Sequence, residues 1–202
     1  MNRISRYGKI PVFHQLHILN IVMLLLMFIL DYTKIITYIV WCINIFFLYK
    51  QISPFFEKFH IECDMISINF MKGSYTKKIP DNAVFVLSYT DVNGFSYSFK
   101  NRYMINIVAD CVENIFCGLH SSEFEKYCNS VRLGFGFGKK VYDNRCMEIY
   151  FKNRYIYSFA YEQEFANKFF NEQKKTVIIP RSLADKIQVQ ANGFEVLFDE
   201  ER

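Results

Sequence analysis

A glycine-rich segment with two lysines is the first stretch whose residue types could do chemistry. "LGFGFGKK" (133–140) resembles a phosphate-binding loop. A Walker loop has Gly, four residues and then Gly-Lys-Ser/Thr, but here Leu133 occupies the first glycine position and Lys140 the position of the magnesium-binding hydroxyl. The dinucleotide fingerprint fails as well, because Lys139 stands at its third glycine. We interpret the segment as a connection or a glycine-bearing strand, and no cofactor is expected.

Cysteine and histidine side chains are the next candidates, as metal ligands. Cys111 and Cys117 are separated by five residues, without a second close cysteine pair or a histidine cluster of zinc-site spacing. Cysteine is a common core residue, so both are expected to pack in the interior. His14 and His17 share one helical face, which either interfacial polarity or a metal or proton site would explain. No metal site is predicted.

The segment "GLHSSEFEK" (118–126) contains the residue types of an acid–base or nucleophilic site. It could bring His120 near a hydroxyl and Glu123. The spacing of Ser122 and Glu125 is also that of a capping box, which explains the same residues as the start of a helix. No nucleophile elbow or carboxylate pair accompanies them. A non-enzymatic protein is therefore the leading hypothesis, and a membrane-tethered enzyme with a site near His120 is the alternative.

Two long apolar runs precede these candidates. Residues 11–30 contain 20 consecutive positions without a charged side chain, and residues 35–49 contain 15 more. About 20 helical residues cross a hydrocarbon core of about 30 Å. Lys50 can extend its ammonium to the headgroups and so lengthen the second helix. The runs predict two membrane helices, at about 11–30 and 35–52.

The polar segment Asp31-Tyr32-Thr33-Lys34 separates the two runs. A signal peptide would have a small-residue cleavage site there, but this segment leads directly into further apolar residues. A helical hairpin of a soluble protein would show a polar face, and residues 24–30 offer none. The polar segment is therefore predicted to be the turn of a two-helix membrane anchor formed by residues 1–56.

Basic residues are concentrated in this predicted anchor. Residues 1–50 contain five basic residues and one acid, whereas residues 51–202 contain 19 of each. Because positive residues tend to remain in the cytoplasm, both termini are predicted on the cytoplasmic side of a bacterial inner membrane. The balanced charge of the remainder argues against nucleic-acid binding. The topology determinants are Arg3, Arg6, Lys9 and Lys50.

Asn20 and Asn44 lie at similar distances from the predicted turn. In an antiparallel hairpin they would sit at similar depth and form a hydrogen bond worth about 0.6 kcal/mol. The alternative is that each points separately towards protein or water.

Residues 61–202 change to short alternating segments typical of strands. "IECDMISINF" (61–70) is expected to fold back at Cys63-Asp64. "AVFVLSYT" (83–90) is strongly β-prone, and residues 91–94 have the turn chemistry of a hairpin into "FSYSF" (95–99).

The pentapeptide Phe-Lys-Asn-Arg-Tyr occurs twice, at 99–103 and 151–155. Alternating apolar residues flank both copies, so each is predicted to be a β-hairpin tip. The copies indicate either an internal duplication or two independent hairpins. The basic residues expected to contact an acidic partner or anionic headgroups at these tips are Lys100, Arg102, Lys152 and Arg154.

Helices are predicted less often than strands. Apolar spacing indicates one helix from the Ser122 capping box to about Val131 and a second at 162–175. "TVIIP" (176–180) reads as a buried strand, residues 181–188 as a short helix with Ser182 as its cap, and "GFEVLF" (193–198) as a last strand.

The two apolar runs, the segment "HIECDMISINF" and the late "VIIPRSLAD" together resemble bacterial membrane-anchored PH-like proteins of the YcxB-like type. The resemblance implies a cytoplasmic β-sandwich or barrel-like module with a helix and without catalytic residues. Such proteins often carry a tryptophan within the β-domain, whereas the single tryptophan here is Trp41.

The predicted fold class is α+β. A transmembrane helical hairpin precedes a mainly antiparallel β-rich cytoplasmic domain, residues 61–202, with two or three helices. The expected function is that of a non-enzymatic, membrane-anchored protein whose domain binds another protein or the membrane surface. An immunity-type or regulatory protein fits this layout.

Alanine at His120 and Ser122 separates this hypothesis from the enzyme alternative. We expect both variants to keep full function, because no catalytic constellation surrounds these residues. The measurement compares biological function at equal folding and abundance. Loss of function in a folded, abundant variant would favour the enzyme.

Overall fold

The computed structural model describes the chain in separate ranges: residues 4–5, 58–70, 73–90, 102–132, 144–189, 193 and 195–198, with single positions and short groups between 21 and 49. The strands of the described part are β1 Ile4–Ser5, β2 Lys58–Glu62, β3 Met65–Phe70, β4 Gly73–Lys78, β5 Ala83–Thr90, β6 Arg102–Ala109, β7 Tyr155–Ala160, β8 Val177–Ile179 and β9 Val196–Phe198. Its helices with defined bounds are α1 Val112–Leu119, α2 Ser122–Arg132, α3 Asn144–Tyr150, α4 Gln163–Gln173 and α5 Arg181–Ala184.

The strands form two sheets. The first is antiparallel, with the order β1-β2-β3-β4, and the second is mixed, with the order β7-β6-β5-β8-β9. In the second sheet β5 pairs antiparallel with β6 and parallel with β8, which in turn pairs parallel with β9. Helix α4 connects β7 to β8. The α+β class is therefore confirmed, and the parallel pairs are an addition to the expected antiparallel arrangement.

The β2–β3 hairpin confirms the expected turn at Cys63-Asp64. All five residues of β2 pair with residues 65–69 of β3, and Cys63 has a left-handed φ of 51°. Alternation places one face of the hairpin in the interior, whereas the opposite face is polar and more exposed. The buried residues of the hairpin are Phe59, Ile61, Ile66 and Ile68.

Strand β5 is the predicted strand "AVFVLSYT" and lies at the centre of the second sheet. Its antiparallel partner is β6 rather than the expected residues 95–99, which lie outside the described residues. Both of its faces are apolar. Phe85 and Leu87 contribute to one buried cluster, and Val84 and Val86 contribute to another.

The two clusters make the molecule three layers thick. In the first cluster, α4 and the β2–β3 hairpin cover one face of the second sheet. The aromatic centre of this cluster is formed by contacts of Phe159 with Phe59 and Phe169. In the second, α1, α2 and α3 cover the opposite face, with Ile115, Phe124 and Met147 among the buried side chains. A strand with two apolar faces requires a cover on each side.

The second Phe-Lys-Asn-Arg-Tyr copy is not a hairpin tip. Residues 151–154 form a turn between α3 and β7, so the predicted strand before this copy is a helix. Cys146, Met147 and Phe151 are buried at helical spacing against the second cluster, which explains the helix. The second copy therefore lacks the β-hairpin that both alternatives, an internal duplication and two independent hairpins, required. Residues 99–101 of the first copy lie outside the described residues.

The described part contains five bounded helices instead of two or three. Helix α1 was not predicted, although Val112, Ile115 and Leu119 follow helical spacing on the packed face. Helices α2 and α4, the buried strand β8 and the last strand β9 are confirmed. Helix α5 is confirmed in shorter form, but its cap position is Pro180, so Ser182 is not the cap.

Phe169 tests how strongly the aromatic cluster stabilises the fold. The ring is fully buried and contacts Phe85, Phe159 and Phe165. We expect Phe169→Ala to lower the free energy of unfolding by about 3–5 kcal/mol. Phe198→Ala, at an exposed position, should change it by less than about 0.5 kcal/mol. Chemical denaturation of the two variants measures both values, and equal losses would contradict the role of the cluster.

Candidate functional site

Strand β1 pairs with β2 although more than fifty residues separate them along the chain. Ile4 lies opposite Phe59 and Ser5 opposite Lys58, in antiparallel register. Residues 6–57 therefore leave the first sheet and return to it at neighbouring positions. We call this pair of strands the anchor junction, because the predicted membrane anchor lies between its two halves.

The described positions between the two halves are helical and mostly apolar. All twelve of them, between residues 21 and 49, have helical backbone. Among the described residues, no helix is both long and apolar enough to cross a bilayer. Ten large apolar side chains in this region are exposed: Ile21, Val22, Leu25, Ile29, Tyr38, Ile39, Trp41, Ile43, Ile45 and Phe46. Each exposed apolar side chain costs free energy in water, at about 25 cal/mol per Å².

The predicted topology determinants and the predicted interhelical pair all lie outside the described residues: Arg3, Arg6, Lys9, Lys50, Asn20 and Asn44. Their roles stay predictions. His14 and His17 lie outside the described residues as well.

The four basic tip residues are not equivalent. Lys100 lies outside the described residues, and Arg102 begins β6. Lys152 is exposed in the turn before β7. Arg154 forms an ion pair with Asp110, and its guanidinium carbon lies 5.2 Å from the centre of the Phe151 ring. The contact role of all four residues stays a prediction, and the ion pair already engages Arg154 within the protein.

Asp110 connects the end of β6 to the start of α1. Its Oδ1 accepts the Cys111 N–H at 2.9 Å and the Asn114 Nδ2 at 3.0 Å, and its Oδ2 pairs with Arg154. Burial alone would raise the pKa of Asp110, but these hydrogen bonds and the arginine charge lower it below its ordinary value of 3.8.

The residues around His120 form a helix–helix corner. The Nδ1 atom of His120 lies 2.9 Å from the Phe116 carbonyl oxygen, and the two rings stack. The Ser121 hydroxyl donates to the Gly118 carbonyl at 2.7 Å and accepts the Phe124 N–H at 3.0 Å. Ser121 therefore caps α2, and the cap predicted at Ser122 is wrong by one residue. A hydroxyl with these two hydrogen bonds stabilises the first turn of the helix.

The cysteines correct another expectation. Cys111 and Cys117 are exposed rather than packed in the interior, whereas Cys128 and Cys146 are buried in the second cluster. None of the six cysteines forms a disulfide bond. Within the described ranges, no three His, Cys, Asp or Glu side chains are grouped so that they could hold a metal ion.

Sequence reasoning missed a buried polar network under α3. Asn106 on β6 donates to the Ser88 hydroxyl at 2.8 Å and to the Val86 carbonyl at 2.8 Å, and it accepts the Tyr155 hydroxyl at 3.1 Å. Ser88 lies 3.5 Å from the side-chain oxygen of Asn144, the first residue of α3. A polar residue inside an apolar alternation, as in "MINIV", was the available signal. The network fixes α3 on the sheet, because each buried polar atom requires its partner.

Strand β4 is the open edge of the first sheet. Among the described strands it pairs only with β3, and five of its six residues are exposed. Lys77 turns away from solvent and donates to the Ile156 carbonyl of β7 at 2.9 Å, so it links the two sheets. Neither β3 nor β4 contains an acidic residue.

No protein-family model matches the chain, and no curated protein or solved structure is similar to it at a significant level. The PH-like resemblance is therefore untested.

The lowered pKa of Asp110 predicts a pH-dependent contribution to stability. A carboxyl whose pKa is lower in the folded than in the unfolded state stabilises the fold above its ordinary pKa, and this contribution disappears as the pH falls through the lowered value. At neutral pH we expect Asp110→Asn to lower the free energy of unfolding by about 0.5 kcal/mol, because Arg154 is partly exposed.

Unfolding curves of the wild type and Asp110→Asn between pH 7 and pH 3 measure this difference, which should shrink towards the acidic end. Asp185→Asn, at an exposed position, serves as the matched control. A difference that stays constant over the whole range would contradict the linkage.

Proposed function

We propose that this chain is a membrane-anchored, non-enzymatic protein whose β-rich domain binds another protein at the cytoplasmic face of a bacterial inner membrane. The anchor junction carries the proposal. A segment that leaves one sheet and returns to it at a neighbouring strand has both of its ends on the same side of the membrane. A transmembrane hairpin, which crosses twice, meets this condition, whereas a single crossing does not.

The exposed apolar side chains between residues 21 and 46 support a hydrocarbon environment for this segment. Patches of this kind are rare on the surface of soluble monomers, and they mark membrane or protein contacts. The uncharged stretch of residues 11–30 matches the thickness of a bilayer. Together these features favour an anchor over a docked helical pair.

Charge supports the proposed orientation. Arg3 and Arg6 flank β1 in the sequence, and Lys58, the first residue of β2, pairs with Ser5 where the chain leaves the first sheet. Positively charged residues that flank membrane helices tend to remain on the cytoplasmic side. The domain and both termini would then share the cytoplasmic side, where thiols stay reduced, and none of the six cysteines forms a disulfide bond.

Two packed sheets with helices fit an interaction module, in keeping with the PH-like sandwich or barrel proposed for this domain. The hydroxyl of Ser121 is engaged in capping α2, which disfavours Ser121 as the nucleophile of the enzyme alternative near His120. An immunity-type or regulatory protein is the role that this arrangement supports best.

Fractionation and topology reporters test the anchor. We expect the full-length chain to stay in the membrane pellet after alkaline carbonate extraction. A reporter active only outside the cytoplasm should be active after Asp31 and inactive after Arg202, because the turn faces outwards and the C-terminus inwards.

A chain with Ile21 and Ile43 both replaced by Asp is the matched variant, because charges near the middle of the predicted spans cost about 2.5–3.5 kcal/mol each. It should lose membrane retention. A wild-type chain recovered in the soluble fraction would refute the proposed anchor. A reporter that is active after Arg202 would refute the proposed orientation.

A further inference from the structure

No strand among the described residues pairs with the outer row of backbone hydrogen-bonding groups on β4. The N–H of Ile79, just beyond β4, donates to the Asp64 carbonyl at 2.6 Å, on the β3 side. In an antiparallel ladder successive residues face alternately towards and away from the partner strand. Tyr75 and Lys77 therefore face β3 with their backbone groups, whereas the N–H and C=O groups of Ser74, Thr76 and Lys78 point to the free edge.

This edge lacks two of the usual features that prevent pairing, a bulge and a proline. Its register with β3 runs without a shift from Gly73 to Lys78, so no bulge bends it away, and it contains no proline. Lys77, which would otherwise shield the edge, is turned inwards to the Ile156 carbonyl. An exposed six-residue edge with a continuous register is a template for another strand.

The charge of the edge indicates which strand would bind. Lys78 is exposed at its C-terminal end, and β3 and β4 contain no carboxylate. Asp81 lies after the strand and has Lys175 as a neighbour, with 3.9 Å between the ammonium and the carboxylate. Asp64 is in the β2–β3 turn. An incoming segment with acidic residues near Lys78 would complement this charge, whereas a basic segment would be repelled.

We propose that β4 binds an extended, acidic segment of a partner protein by strand addition to the first sheet. This inference deepens the proposed binding role and rests on it. A bilayer surface cannot supply a ladder of backbone hydrogen bonds, so the edge favours a peptide over lipid. Ser74, Thr76 and Lys78 provide the backbone groups, and Lys78 provides the charge.

The test uses the full-length chain in nanodiscs of zwitterionic lipid. The probe is a blocked nine-residue peptide of alternating valine and threonine with two glutamates at one end. Fluorescence anisotropy measures its affinity, and hydrogen exchange measures protection of the β4 amides. We expect binding that protects Ser74, Thr76 and Lys78 together.

Thr76→Pro and Thr76→Val form the matched pair of variants. Proline is tolerated on an edge strand when its missing N–H faces solvent, so Thr76→Pro keeps the β3 ladder but removes an edge donor. We expect it to weaken peptide binding by about tenfold, whereas Thr76→Val should bind like the wild type. Equal binding by both folded variants would overturn strand addition.

Charge is tested separately. Lys78→Glu should weaken binding of the acidic peptide by about fivefold, and Lys126→Glu, an exposed control on α2, should change it little. A lysine version of the peptide that binds equally well would overturn the acidic partner. Protection of the β4 amides that rises with protein concentration in the absence of peptide would show that a second copy of the chain binds the edge. Protection that requires anionic lipid would show that the membrane covers it. Either result would overturn a peptide as the occupant.

The test of strand addition and the test of the anchor can fail independently. A chain that is extracted by carbonate but still binds the peptide at β4 would refute the anchor and support the edge. A chain that is retained in the membrane without peptide binding would refute the edge alone.

Discussion

The structure depends on the burial of one strand from both sides. Strand β5 presents Phe85 and Leu87 to one face and Val84 and Val86 to the other, and all four are buried. A strand of this kind cannot lie at a solvent surface, so the second sheet needs two covers. The first sheet with α4 provides one of them, and helices α1 to α3 provide the other.

The two covers serve different purposes. The helical cover is held by polar groups as well as apolar ones, because Asn106 and Ser88 fix the start of α3 over the sheet. The sheet cover has Phe59 packed on Phe159 at its centre, and among the described strands none pairs with its outer edge, β4. This open edge belongs to the same sheet that receives both ends of the apolar N-terminal segment. The proposed anchor and the proposed partner-binding edge therefore involve the same sheet.

Strands with clear alternation were predictable from local sequence. The β2–β3 hairpin and β5 were located closely, because alternation and turn chemistry act over a few residues. The pairing of strands with one another was less predictable, since β5 pairs with β6 and β8 rather than with residues 95–99. Helix α3 was taken for a strand because the repeated pentapeptide suggested a hairpin. The ion pair of Arg154 with Asp110 joins residues 44 apart in sequence, and no local pattern indicates such a contact.

The sequence by itself determined the division into an apolar, basic N-terminal segment and an electrically balanced β-rich domain, because composition and periodicity are local properties. Only the tertiary structure decided that residues 4–5 join β2, that β4 is left as an open edge, and that Ser121 rather than Ser122 caps α2. These features arise from pairing and packing between distant residues. Their free energies depend on which surfaces meet, and a linear sequence does not specify that directly.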